Sequence, residues 1–221
     1  MCKSAEQRKR ESIEKLSKLN VRYTEYLPVI EDSKEVTLKD LDVICKKAIS
    51  TLLIIQVAID AANGQYDESK EFFAPMIERF GVEKYFNANE LKVWNGHYEQ
   101  QDLINVSWEY EVYWALVWAL GLIDDAAFSV PDEVCDGGEA VKIVSSCKDY
   151  DDFRSKTKLR DIEDILDMLD LYYRYHWAVV DDRLNNRETI GIDPGVVTER
   201  RRGLEWLVSD VEDWEEVSLD T

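Results

Sequence analysis

The sequence has little of what tight turns, metal sites and disulfide frameworks are made from. Its 221 residues include nine glycines and four prolines, too few for the many turns of a hairpin-rich β fold. The four cysteines are far apart, form no CxxC pair and are accompanied by only two histidines, which argues against a structural zinc site. We therefore expect free thiols in a reducing compartment, no metal and no cofactor.

Long hydrophobic runs are also missing. The longest apolar run, 112–123, has twelve residues, which is too short to span a bilayer and fits a core helix. The first fifteen residues are charged throughout and lack the apolar segment of a signal peptide. These absences predict a cytoplasmic protein that does not interact with a membrane.

Positive charge is scarce outside the N-terminus, and the net charge is −19. Residues 1–22 carry a local surplus of four positive charges, which leaves −23 on the remainder. A body of that charge repels phosphate backbones, so nucleic-acid binding is not expected. It attracts basic proteins, although acidity of this degree also serves solubility alone.

Apolar and aromatic residues are plentiful. Hydrophobic residues make up 45% of the chain, with seven tryptophans and eleven tyrosines, so a sizeable core can be buried. Helical periodicity dominates and strand patterns are weak. We expect an all-α fold, a compact single-domain, bundle-like arrangement of roughly seven to nine helices. An N-terminal helical arm over residues 1–22 is predicted to precede a single α-helical domain over residues 23–221.

Capping residues and helix breakers predict where the helices begin and end. Thr37 is the predicted N-cap of the second helix, with Asp40 at its third position, and Pro75 is predicted to kink or restart the third. Asp193 is the predicted N-cap of the last helix, and Trp214 is expected to hold the C-terminal tail against the body. The predicted helices cover residues 4–20, 38–62, 67–81, 88–95, 99–123, 159–186 and 194–210, with short helices and a mobile loop in 126–158.

The most informative stretch is the helix predicted over 159–186. Most of its circumference is apolar, which is typical of a buried helix. Buried charges have to be paired or neutralised, so a charged edge on such a helix is either a structural network or an active site. The side chains of this edge, which we call the acidic stripe, are Glu163, Asp167, Asp170, Arg174 and Asp181.

Three blocks of the C-terminal half resemble a known family. They are SWEYEVYWALVWALG (107–121), LRDIEDILDMLDLYYRYHWA (159–178), and VVTERRRGLEWL (196–207) followed by DWEEVSLDT (213–221). Together they resemble the bacterial family catalogued as domain of unknown function 4272. The resemblance covers most of the chain and is specific in its last 115 residues, whereas 126–158 matches poorly. The resemblance implies membership of this group of proteins, but it does not imply any particular activity. The matching positions are Trp108, Glu111, Trp118, Arg160, Glu163, Asp167, Asp170, Arg174, His176, Trp177, Glu199, Arg200, Trp206, Trp214 and Asp220.

Two charged residues outside the stripe are also candidates. Glu111 shares its side of a helix with tryptophans, so it is either a general acid with a raised pKa or one half of a buried Glu–Arg pair. Arg200 lies between apolar residues on its helix and is expected to pair with Asp167, Asp170 or Glu111. The other cations expected to balance the stripe are Arg160, Arg201 and Arg202.

Metal binding and histidine chemistry are the alternatives. Glu163, Asp167 and Asp170 are spaced i, i+4 and i+7, and with Glu109 or Glu111 they could present carboxylates to Mg²⁺. Arg174 within the stripe argues against this, and neither histidine follows a glutamate by three residues as a di-iron site requires. We therefore expect no metal site.

One histidine and two cysteines are the remaining candidates for catalysis. His176 is either a general base or a core histidine with its hydrogen bonds satisfied. GxSxG is absent, and Cys135 and Cys147 are interpreted as ordinary thiols.

These observations favour a cytoplasmic acidic protein that binds another protein, as toxin immunity proteins do, and a basic protein is one candidate partner. A second copy of the chain is a further candidate partner, through the tryptophan-rich surface. The alternative is a hydrolase or a transferase. A sealed, paired stripe supports binding, whereas a stripe that lines a cleft supports catalysis. The candidate catalytic residues are Glu111, Glu163, Asp167, Asp170, Arg174, His176 and Arg200.

Overall fold

The computed structural model describes residues 3–221 of the chain. This part contains nine α-helices and two short 3-10 helices, and no strand occurs in it. The predicted all-α class and helix number are confirmed, whereas the domain boundary at residue 22 stays a prediction. The α-helices are α1 (Ala5–Lys18), α2 (Leu41–Ala62), α3 (Tyr66–Phe80), α4 (Ala88–Trp94), α5 (Gln100–Ala119), α6 (Gly137–Ser145), α7 (Tyr150–Ser155), α8 (Ile162–Leu184) and α9 (Pro194–Val208), and the 3-10 helices are Glu83–Tyr85 and Trp214–Glu216.

Helices α2 and α5 form the centre of the fold. α2 packs against α3, α4 and α5, while α5 packs on its other side against α9. α9 in turn contacts α8, and the N-terminal helix α1 packs against α8. Residues 111–120 are all buried, so the apolar run predicted as a core helix is confirmed. Within residues 3–221, no helix is both long enough and apolar enough to cross a membrane.

The predicted start of α2 was three residues too early. Asp40 is the N-cap, since its side chain accepts a hydrogen bond from the Asp42 amide at 2.8 Å, and Thr37 lies outside the helix. The segment before Asp40 instead contacts α9, where the Lys39 amide donates to the Leu207 carbonyl at 2.9 Å. Asp193 caps α9 as predicted, and Trp214 is fully buried, as expected for the residue that holds the tail.

Two further predictions need correction. α3 runs without interruption through Pro75, so this proline does not restart the helix. α5 ends at Ala119 and α8 begins only at Ile162, because the segment between them binds the end of α5. There the amides of Lys158 and Arg160 donate to the carbonyls of Leu120 and Ala119, both at 2.9 Å.

A close approach between α9 and α5 positions the candidate site. A Cβ at Gly203 would lie 2.8 Å from the Ala115 Cβ and 3.0 Å from the Val112 carbonyl oxygen, so only glycine fits here. Arg200 precedes Gly203 by about one helical turn and Glu111 precedes Ala115 by one, which places both side chains in the same interface.

Candidate functional site

Residues of the N-terminal region form ion pairs with the first half of the acidic stripe. Arg8 is 1% exposed and donates from Nη2 to Glu163 Oε2 at 2.8 Å and from Nε to Asp167 Oδ1 at 3.0 Å. Lys3 pairs with Asp167 and, at 2.6 Å, with Glu11. The cations that balance these carboxylates therefore come from the basic segment predicted as an arm.

The second half of the stripe is paired within or just after α8. Arg174 donates from Nε and Nη2 to the two oxygens of Asp170 at 2.9 and 2.7 Å, and both residues are almost fully buried. Arg174 also donates to the Pro28 carbonyl at 3.2 Å. Asp181 pairs with Arg187, beyond the end of the helix. The stripe is thus a chain of ion pairs, and Asp170 and Arg174 are closed to solvent.

The arginines expected to balance the stripe make other contacts. The expectation was wrong because these arginines pair with acids on α5, on α9 itself or in the loop after α5, while the cation that binds Glu163 and Asp167 comes from a residue about 160 positions earlier in the chain. Arg160 pairs with Asp125, Arg200 with Glu111, Arg201 with Glu205 and Arg202 with Glu199.

Glu111 and Arg200 form the best-buried interhelical ion pair of the predicted set. Arg200 Nε donates to Glu111 Oε2 at 2.7 Å, and both residues are at most 2% exposed. The other carboxylate oxygen accepts a hydrogen bond from the Cys135 amide at 2.7 Å. Of the three partners expected for Arg200, Glu111 is confirmed. With both oxygens engaged, Glu111 resembles a structural carboxylate more than an unmatched acid.

Arg200 also fixes the loop that precedes α6. Its Nη1 donates to the Tyr172 hydroxyl at 3.3 Å and the Phe128 carbonyl at 3.4 Å, and its Nη2 donates to the Glu133 carbonyl at 3.2 Å. One guanidinium thereby joins α9, α8, α5 and this loop.

Burial raises the pKa of the nearby Cys135 thiol, so this group stays protonated at neutral pH and is a poor nucleophile.

His176 accepts a hydrogen bond, which limits it as a base. The distance between Arg201 Nη1 and His176 Nδ1 is 2.6 Å, and because a guanidinium only donates, Nδ1 accepts and the ring is neutral. Burial, together with the charge of Arg201, lowers the pKa of His176 to about 4. The remaining ring nitrogen then carries the proton, so neither nitrogen is free to take one from a substrate.

A cluster of buried polar residues lies where α2, α4 and α5 meet. Lys47 donates to Glu90 at 2.8 Å, Thr51 donates to the same carboxylate at 2.6 Å, and Asn87 donates to Glu109 Oε1 at 3.0 Å. The other oxygen of Glu109 is buried and has no partner among residues 3–221. Burial first, and then the charge of Glu90, raise the pKa of Glu109 well above 4.5.

Sequence reasoning named Glu109 only as a possible metal ligand. A signal was present, because Val106, Val112 and Tyr113 share its side of α5 at helical spacing. Its surroundings come from α2 and α4, however, which are distant in sequence. Lys47 and Asn87 also line a cavity of about 490 Å³ whose opposite wall is the tail segment 210–213.

An apolar groove opens on the other side of α5. It has a volume of about 370 Å³, and of the predicted site residues only Glu111 lines it. Three apolar side chains at the groove are well exposed: Ile104 at 42%, Trp108 at 39% and Val134 at 59%. The residues that line this groove are Ala62, Gln100, Leu103, Ile104, Ser107, Trp108, Tyr110, Glu111, Val134, Cys135 and Gly137.

The donor sets do not form a metal centre. In the described part of the chain, no group of three or more histidine, cysteine, aspartate or glutamate side chains is arranged to hold a metal ion. Glu163 and Asp167, two members of the proposed Mg²⁺ set, are instead bound by Arg8.

Comparison with known protein families gives a match over most of the chain. The sequence profile of a family described as Domain of unknown function (DUF4272) matches residues 8–217, which is nearly the whole chain. Comparisons with curated proteins and with solved structures gave no significant match.

Proposed function

The chain belongs to the DUF4272 family, whose description names no activity, and we propose that it acts by binding a cationic partner protein. An immunity-type protein, which neutralises a basic toxin by covering it, is one form of this activity. The proposal rests on the distribution of charge and on the closed state of the predicted catalytic groups.

The observation that carries the proposal is an uninterrupted anionic stretch. Between Lys92 and Lys142 there are 49 residues with ten aspartates and glutamates and no lysine or arginine. Four of these acids are buried or ion-paired, whereas six are exposed and make no ion pair within residues 3–221: Glu99, Asp124, Asp132, Glu133, Asp136 and Glu139. This stretch includes all of α5, one of the two central helices, and the loop that follows it. Solubility alone needs a high net charge and not this segregation, whereas an anionic face steers a cationic partner to one side of the molecule.

The state of the predicted catalytic residues supports binding over catalysis. Asp170 and Arg174 are sealed, Glu111 is held by Arg200, and His176 accepts from Arg201. A catalytic carboxylate or base needs access to the substrate and a pKa suited to proton transfer. Binding through the exposed surface needs neither.

A peptide-library selection tests the proposal. We expect random peptides selected on the immobilised protein to be enriched in lysine and arginine. Resynthesised peptides should bind saturably, and binding should weaken as salt rises from about 0.05 to about 0.3 M, because screening shortens the Debye length. Versions with glutamate in place of each basic residue are the matched control and should not bind.

Two results would contradict the proposal. One is a selection that yields no cationic enrichment, or peptides whose charge-reversed versions bind equally well. The other is turnover of an ester, phosphate or glycoside substrate that is lost in Glu111→Gln, which would favour the hydrolase or transferase alternative.

A further inference from the structure

We propose that the apolar groove on α5 is the docking site for this cationic partner, and that it takes an apolar side chain of a lysine- or arginine-rich polypeptide segment. This inference rests on the proposed function, since it names the surface and the chemistry of the segment that binds there.

The groove has the exposed apolar surface that a docking site needs. Single exposed apolar side chains are ordinary, but Ile104, Trp108 and Val134 border one cavity. Leu103 and Tyr110 extend the apolar lining inward. A volume of about 370 Å³ lies at the lower end of the range for ligand pockets, about 300–1,000 Å³. It therefore suits one or two inserted side chains.

The charge around the groove selects the rest of the segment. The lining residues come only from 48–69 and 93–141, two segments that contain no lysine or arginine. The acidic residues beside Val134, Cys135 and Gly137 are exposed, and none has an ion-pair partner within residues 3–221. These rim residues are Asp132, Glu133, Asp136 and Glu139. An apolar centre with an anionic rim complements an apolar side chain flanked by cations.

The inner end of the groove explains why the inserted group is apolar and not a cation. Glu111 is the acidic residue that lines the groove, and its oxygens are already bound by Arg200 and by the Cys135 amide. Its charge is compensated, so a lysine or arginine inserted this far would lose its hydration without gaining an unpaired carboxylate. Cations are therefore attracted by the rim, and the groove itself buries apolar atoms.

Substitutions with matched charge test this location. The probes are a fluorescein-labelled peptide of lysine and leucine and a second of lysine and serine, measured by fluorescence anisotropy. Ile104→Asp and Val134→Asp each place a carboxylate in the groove. The controls Leu184→Asp and Ile190→Asp make the same kind of change at positions that are 72% and 76% exposed and lie outside the groove.

The expected result separates apolar docking from charge attraction. All four variants gain the same negative charge, which by itself strengthens binding of a lysine peptide. We expect Ile104→Asp and Val134→Asp to weaken binding of the lysine–leucine peptide at least about tenfold, because an apolar contact is lost. The control variants should bind it as the unmodified protein does or slightly more tightly. The lysine–serine peptide should bind weakly to all five proteins.

The outcomes distinguish this inference from the proposed function. Equal binding of the lysine–leucine peptide by groove variants and controls would place docking elsewhere and leave the proposed function intact. If neither peptide binds the unmodified protein saturably, both the docking site and the proposed function are contradicted. As a second measurement that needs no variant, a benzophenone group on the leucine peptide should cross-link to residues 100–111 or 134–137. Cross-links confined to other segments would overturn the inference.

Discussion

Arg200 Nε lies 2.7 Å from Glu111 Oε2 in a buried ion pair that joins α9 to α5. The same guanidinium binds the Glu133 carbonyl, and the other Glu111 oxygen binds the Cys135 amide. The pair therefore holds both ends of the segment that presents Val134 at the groove. Two residues that the sequence suggests for catalysis instead give the proposed docking surface its shape.

We predict that Arg200→Ala lowers the free energy of unfolding by about 3–5 kcal/mol, since it leaves the Glu111 carboxylate buried without its cation. Urea unfolding measures this. Arg154→Ala is the control, because Arg154 and its partner Asp42 are both exposed and such pairs contribute little. Equal unfolding midpoints for the two variants would show that the buried pair does not stabilise the fold.

Arg8→Ala should release α1 from α8. Arg8 is buried and bonds to both Glu163 and Asp167, so its loss removes the main charge contact between these helices. Hydrogen exchange should show the amides of α1 exchanging at least about tenfold faster through local opening, with α5 unchanged. Arg10→Ala removes an exposed arginine of the same helix and should leave exchange as it is. Unchanged protection of α1 in Arg8→Ala would contradict this role.

The Arg200–Glu111 pair could be predicted from the sequence, whereas the partner of the stripe could not. An arginine between apolar residues of one helix and a glutamate among tryptophans of another each require a partner, and few candidates exist. Glu163 and Asp167 require one too, but Arg8 is about as remote in sequence as the chain allows. Helical spacing shows which residues share a face and does not show which helix packs there.

Predictions from local sequence patterns were wrong or incomplete where a residue contacts a segment that is distant in sequence. Thr37 and Asp40 have the spacing of a capping pair, yet the Lys39 amide binds the Leu207 carbonyl and the helix begins only after Asp40. The sequence places Glu109 on an apolar side of its helix, which indicates burial, but it does not show which neighbours meet the carboxylate. Those neighbours, Lys47 and Glu90, come from α2 and α4.

His176 should make the protein less stable in mild acid. Its pKa is lowered from 6.5 to about 4 on folding, so below pH 6.5 the unfolded chain binds a proton that the folded protein excludes. The stabilising contribution is present above pH 6.5 and is lost as pH falls towards 4. His176→Asn keeps an acceptor for Arg201 and removes the titration, so it should lose less stability than the unmodified protein between pH 7 and 5 in urea unfolding. Parallel pH profiles for the two proteins would contradict the assignment.

Glu109 should act in the opposite direction, at higher pH. Its folded-state pKa is raised well above 4.5, mainly by burial, so the folded protein keeps a proton that the unfolded chain releases above pH 4.5. The contribution is fully present below pH 4.5 and is lost as pH rises through the folded-state pKa, at a slope of at most about 1.4 kcal/mol per pH unit.

Glu109→Gln keeps an acceptor for Asn87 and cannot ionise, so its advantage over the unmodified protein in urea unfolding should grow between pH 5 and 8. Glu216→Gln, at an exposed position, is the control and should follow the unmodified protein. A constant difference between Glu109→Gln and the unmodified protein across this range would show that Glu109 does not keep its proton in the folded state.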